Sequence, residues 1–195
     1  MQMATASGWG QTIAGWEMNA LTGAGSSPYA PTTTTSNVTI GGLTRGSALG
    51  TNGSPAGNAW GTSVSVTNPT SASTAITANS FITFTAKANS GYILNITNIA
   101  SYNVRRSSSG PTSGQWQYST NGSTFTDIGS TITWGTTTTA SGNAQTAINL
   151  SGISALQNLA SSITVTFRLA LWGASGTSGG WYLNQFQTGD DFVLQ

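Results

Sequence analysis

The stretch from Ile163 to Trp172 reads Ile-Thr-Val-Thr-Phe-Arg-Leu-Ala-Leu-Trp. In an extended chain Ile163, Val165, Phe167, Leu169 and Leu171 fall on one side. Thr164, Thr166, Arg168, Ala170 and Trp172 fall on the other. A period of two held over that length describes a strand with one buried face. The period recurs at 81–87, where Ile82, Phe84 and Ala86 share a side, at Val38 and Ile40, and at Val64 and Val66. Further strands are predicted at 13–18, 92–96, 100–106, 115–120, 123–128, 131–134, 144–150, 181–186 and 191–194. Asn121-Gly122 between two of them predicts a type I′ hairpin turn, because both residues tolerate positive φ. Only 153–160 has helical spacing, with Ile153, Leu156 and Leu159 on one face and Ser151 as its cap. Many short strands separated by turns predict an all-β fold. The expected form is an antiparallel β-sandwich, jelly-roll-like, with one short helix.

At 195 residues the chain is expected to form a single domain over 13–195, with 1–12 as an extension ahead of it. A domain of that size buries a core without help from disulfides or a metal. The charge content constrains function more sharply. Only 5% of residues are charged, against about 25% in ordinary soluble domains. The cations are Arg45, Lys87, Arg105, Arg106 and Arg168, and the net charge is +1. Scattered cations make no stripe for displacing phosphate counterions, so no nucleic-acid partner is expected. No apolar run of about 18 residues occurs, so no membrane insertion is expected either. The opening residues lack the basic and apolar regions of a signal peptide. Hydroxyl side chains replace charges as the solvating groups, which suits an exported protein. An extracellular or cell-surface location, with any signal peptide already removed, is the expectation. Near-neutral surfaces also repel one another little, which favours self-association.

No catalytic residues and no cofactor are expected. The sequence contains no His and no Cys, so the commonest general base and the thiol nucleophile are missing. Glu17, Asp127, Asp190 and Asp191 are the only carboxylate side chains. Adjacent strand residues point to opposite faces, so Asp190 and Asp191 make a poor acid/base pair. Asp127, Asp190, Asp191 and Asn184 supply oxygens of the kind calcium takes, but no Asp-x-Asp-x-Asp-Gly loop arranges them. Pairing with arginines or capping of turns is the more economical role, and no metal site is expected.

Two binding devices remain. Arg168 and Trp172 share the non-core side of their strand, and Trp116 and Tyr118 share one side of another. Aromatic faces with a hydrogen-bonding arginine can stack on sugar rings, which makes these four residues a candidate glycan site. The competing role is a second apolar layer under loops, because the seven Trp exceed what one platform needs. The second device is the N-terminal extension. Met1, Met3, Thr5, Ser7 and Trp9 alternate with the smaller Ala4, Ala6 and Gly8, without charge or proline. That pattern suits a donor strand laid into a neighbour's sheet, with Met1, Met3, Thr5 and Trp9 as its anchors. A head-to-tail insertion that does not close on itself builds a filament. A self-docked or disordered terminus is the competing role.

Some local stretches are distinctive. They are Tyr102-Asn103-Val104-Arg105-Arg106 with Gly114-Gln115-Trp116-Gln117-Tyr118-Ser119, and Leu150-Ser151-Gly152-Ile153. Leu171-Trp172-Gly173, Leu43-Thr44-Arg45-Gly46 and Gly189-Asp190-Asp191-Phe192 complete the set. Together these resemble the β-sandwich modules of large secreted bacterial surface proteins, often placed upstream of C-terminal sorting signals. The resemblance spans roughly residues 13–194 and implies an exported jelly-roll-like domain, with no established activity. The resulting expectation is a non-enzymatic extracellular structural protein. It would be a filament or matrix subunit whose partners are copies of itself. A carbohydrate-binding or adhesion module with a polysaccharide partner is the alternative.

Overall fold

The computed structural model describes residues 10–51, 56–62, 64–65, 68–137 and 140–195, with 64 and 65 described in main chain alone. In chain order the first elements are β1 (Ala14–Trp16), β2 (Thr33–Thr34), β3 (Val38–Arg45) and β4 (Leu49–Gly50). They are followed by β5 (Ala59–Thr62), β6 (Val64–Ser65) and the helix α1 (Ala72–Thr77). Next come β7 (Phe81–Ala88), β8 (Ile93–Leu94), β9 (Asn98–Ile99), β10 (Tyr102–Arg106), β11 (Ser113–Ser119) and β12 (Thr126–Thr133). The chain finishes with β13 (Asn143–Gln145), β14 (Ile148–Asn149), β15 (Leu159–Ala160), β16 (Thr164–Trp172), β17 (Trp181–Asn184) and β18 (Phe192–Leu194).

One layer is the antiparallel sheet β12-β11-β16-β7-β3. The other is built from two shorter sheets, β14-β9-β18-β1-β2 and β13-β10-β17-β5. These two run in line, since β9 leads into β10, β13 into β14 and β17 into β18. The Ala100 N–H donates to Val193 O at 2.9 Å across the junction. Counting the strands of these three sheets, the chain changes layer after β2, β3, β5, β7, β10, β12, β14 and β16, so the two layers are interleaved along the sequence as in a jelly roll. The fold is therefore the antiparallel β-sandwich that the period-two pattern predicts.

The alternation places the core where it should. Ile82, Phe84 and Ala86 are buried on β7, and Val165, Phe167, Leu169 and Leu171 are buried on β16. Phe84 stacks on Phe167 at 4.9 Å within the first layer. Trp116 stacks on Phe192 at 5.8 Å, joining the two layers. Trp16 meets Phe84 edge-on at 5.3 Å, so aromatic faces and edges fill the middle of the sandwich. The indole N–H of Trp16 donates to Tyr29 O and that of Trp60 to Ser26 O, at 3.0 and 2.7 Å. Buried indoles thereby tie loop carbonyls to the core.

Three local expectations are corrected. The helix is not at 153–160. There a single 3-10 turn, Ser154–Leu156, forms with no side-chain cap, and Leu159 instead pairs with Leu94 across β15 and β8. Ser151 is not a cap; its N–H and hydroxyl both donate to Asn149 Oδ1. The α-helix is α1, started by a capping box in which Ser71 Oγ takes the Thr74 N–H and Thr74 Oγ1 takes the Ser71 N–H. Second, the Asn121-Gly122 turn is not type I′. Gly122 takes φ +76° but Asn121 stays out of that region, and Asn121 Oδ1 accepts the Ser123 and Thr124 N–H groups. Third, 123–128 and 131–134 are not separate strands. Gly129, at φ +64°, lets β12 continue past an irregularity in its pairing with β11.

Candidate functional site

Met1, Met3, Thr5 and Trp9 lie outside the described residues, as do Asn52, Gly53 and Val66. The four residues of the candidate glycan site are described, and they do not form one surface. Trp116 is fully buried, and its indole N–H donates to Tyr102 Oη at 3.0 Å. Tyr118, on the same side of β11, packs against that core. Their shared face is the inner one, which removes Trp116 as a sugar platform.

Arg168 and Trp172 do lie on the outer side of β16, and both are half-buried. Arg168 is already committed. Its Nε and Nη2 donate to Gln117 Oε1 at 2.9 and 2.7 Å, and Gln117 Nε2 donates to Asp127 Oδ1 at 2.7 Å. The guanidinium lies 3.6 Å from the ring centre of Phe125 and 5.4 Å from that of Phe81. Burial pulls its pKa below the ordinary value and the Asp127 charge opposes that pull. The loop carrying Phe125 thus seals Arg168 into the sheet surface, and Gln115, Gln117 and Ser119 are buried on the nominally outer side. Arg45 is structural in the same way. It stacks over Trp60 at 4.7 Å and donates to Gly61 O, Ala24 O and Gly25 O, and burial lowers its pKa to about 10.

The carboxylates fall in two places: Asp127 by itself, and Glu17 close enough to Asp190 and Asp191 to interact with both. Asp127 lies on β12 of one layer. Asp191 is buried beside β18 of the other, where Oδ2 accepts the Met18 N–H and Oδ1 accepts those of Phe186 and Gln187. Its role is to close the loop after β17. Among the described residues no cluster of three metal-ligating acids forms.

Two concave regions among the described residues enclose larger open space. The first, about 520 Å³, is where the chain enters the fold. Ile13 donates to Leu194 O and accepts from Thr35, so the chain enters between β18 and the end of β2. A Cβ on Gly10 would lie 2.8 Å from Gln195 Cβ, so the chain is held close there. Ile13, Val38 and Leu94 supply apolar walls, and Tyr92, 42% exposed, stands at the rim. No charged side chain lines this groove among the described residues.

The second region, about 570 Å³, lies over the outer side of β10 and β17. Asn103 and Asn184 are cross-strand partners there and are 5% and 3% exposed. Asn103 Nδ2 donates to Ser141 O and Gln185 O at 2.5 and 3.1 Å. Asn184 Nδ2 donates to Ala140 O and Gln185 O at 2.9 and 3.1 Å. Carbonyls on the nitrogen side fix both amide orientations, because a flipped oxygen would face another oxygen. Both Oδ1 atoms are then buried without a donor among the described residues. Leaving such an acceptor unmatched costs about 1–3 kcal/mol. The signal for this pair in the sequence was faint: two Asn in strands that otherwise alternate apolar and polar. Phe186, 38% exposed, borders the hollow, and Arg105 forms part of its wall with its guanidinium 5.6 Å from the Tyr182 ring centre.

Comparison of the chain with protein-family models, with curated proteins and with solved structures found no match.

Proposed function

We propose that this domain is a non-enzymatic extracellular structural subunit that assembles with copies of itself into a filament or matrix through strand addition. The observation that carries the reading is the uncharged groove at the chain entrance. Residues 10–12 already line that groove in their own domain, which narrows the donated segment to residues 1–9. That segment has no charged side chain, and among the described residues the groove wall has none either, so docking would bury no charged side chain. A net charge of +1 on 195 residues offers little repulsion between copies.

The test compares the full chain with a variant lacking residues 1–9, by electron microscopy and size-exclusion chromatography. Regular polymers from the full chain and folded single particles from the shortened one are expected. Equal polymerisation by both, or single particles from both, would refute the mechanism.

A further inference from the structure

We propose that the hollow over β10 and β17 binds a neutral saccharide, with Phe186 as the stacking face and the amides of Gln185 and Gln187 meeting ring hydroxyls. This site is separate from the groove at the chain entrance and from the Trp116, Tyr118, Arg168 and Trp172 set. Its volume, about 570 Å³, falls in the size range of small-ligand clefts.

The chemistry of the lining selects the ligand class. The polar side chains are amides and hydroxyls, from Asn58, Asn184, Gln185, Gln187, Ser141 and Thr188. Amides both donate and accept, which is what a ring of hydroxyls requires. Among the described residues no carboxylate lines the hollow and Arg105 does, so a metal ion would meet a like charge and no anionic ligand. A peptide strand is disfavoured because the hollow lies over the face of the sheet, whereas strand addition needs an edge.

The rim is also held in place. The Phe186 and Gln187 N–H groups are both fixed on Asp191 Oδ1, at 2.6 and 3.0 Å. An aromatic ring that is exposed yet carried on a pinned main chain pays little ordering cost on binding.

Isothermal titration calorimetry of the full chain with gluco-, manno-, xylo- and galacto-hexaoligosaccharides tests the site. At least one should bind with Kd of about 1 mM or tighter. Phe186→Ala should weaken that binding about tenfold or more while the protein still melts cooperatively, with only a modest fall in Tm because the residue is partly exposed. Gln185→Ala gives an independent reading and should weaken it several-fold. Absence of binding by all four sugars would overturn the proposal. So would full affinity in both variants, or affinity lost only in Trp172→Ala.

Discussion

The guanidinium of Arg168 grips the side-chain oxygen of Gln117 with two nitrogens, at 2.9 and 2.7 Å, while the ring of Phe125 covers it. Arg168→Lys keeps the charge and loses the planar double contact and much of the stacking. The change should cost about 1–2 kcal/mol of stability, because Gln117 Oε1 keeps at most one donor. Urea unfolding of the two proteins at neutral pH measures it. An unchanged midpoint would mean that the contact is ornamental and Arg168 is available for other work.

Trp116 and Trp172 looked equivalent as aromatic platforms, and the fold separates them. Trp116→Phe removes the donor from the buried Tyr102 hydroxyl and leaves space against Phe192. A loss of about 2–4 kcal/mol is expected. Trp172→Ala, at a half-buried outer position, should cost about 1 kcal/mol or less. Thermal melts of both variants check the ordering, and a larger loss in Trp172→Ala would contradict the burial assignment.

The contrast shows what alternation can carry. It groups Trp116 with Tyr118 and Arg168 with Trp172 because a strand has two sides. On β16 the inner side is obvious, since Val165, Phe167 and Leu169 occupy it. On β11 both sides are bulky, with Gln115 and Gln117 opposite the aromatics, and only tertiary packing shows that Gln115, Trp116 and Gln117 are buried and Tyr118 is half-buried. The helix was misplaced for a related reason. Ile153, Leu156 and Leu159 have helical spacing, yet Leu159 gains a ladder partner in Leu94. Helix α1 buries only Ala75 and presents no apolar stripe, so its trace in the sequence was the Ser71-to-Thr74 cap. The hollow over β10 and β17 was less legible still. Asn103 and Asn184 lie 81 positions apart, and nothing local announces that β10 and β17 place them side by side.

Asp191 is predicted to govern the loop that carries Phe186. Its two carboxylate oxygens accept three main-chain N–H groups, from Met18, Phe186 and Gln187. Asp191→Asn offers one oxygen and one NH2, so at least one of those N–H groups would face a donor. The expected cost is about 3 kcal/mol. Hydrogen exchange at Phe186 and Gln187 should accelerate more than exchange within β16. Equal protection of both amides in the variant would show that the loop is held by something else.

Glu17 gives the domain a pH dependence of definite sign. Burial raises its carboxyl above the ordinary value of 4.5; the Asn19 N–H pulls it back, and the nearby Asp191 and Asp190 carboxylates add to the rise. A raised carboxyl pKa means that the folded state binds this proton more tightly than the unfolded chain does. Above the folded-state pKa the ionised group therefore carries a constant penalty. The penalty is relieved as pH falls through that pKa and is gone below about 4.5, the unfolded value. Glu17→Gln should remove this contribution, because the amide does not titrate. The variant should be the more stable protein at pH 7, and its advantage should shrink as pH falls towards 4.5. Urea midpoints of both proteins measured from pH 7 to pH 4 read the difference directly. An advantage that grows on acidification would reverse the sign and place Glu17 among groups stabilised in their ionised form.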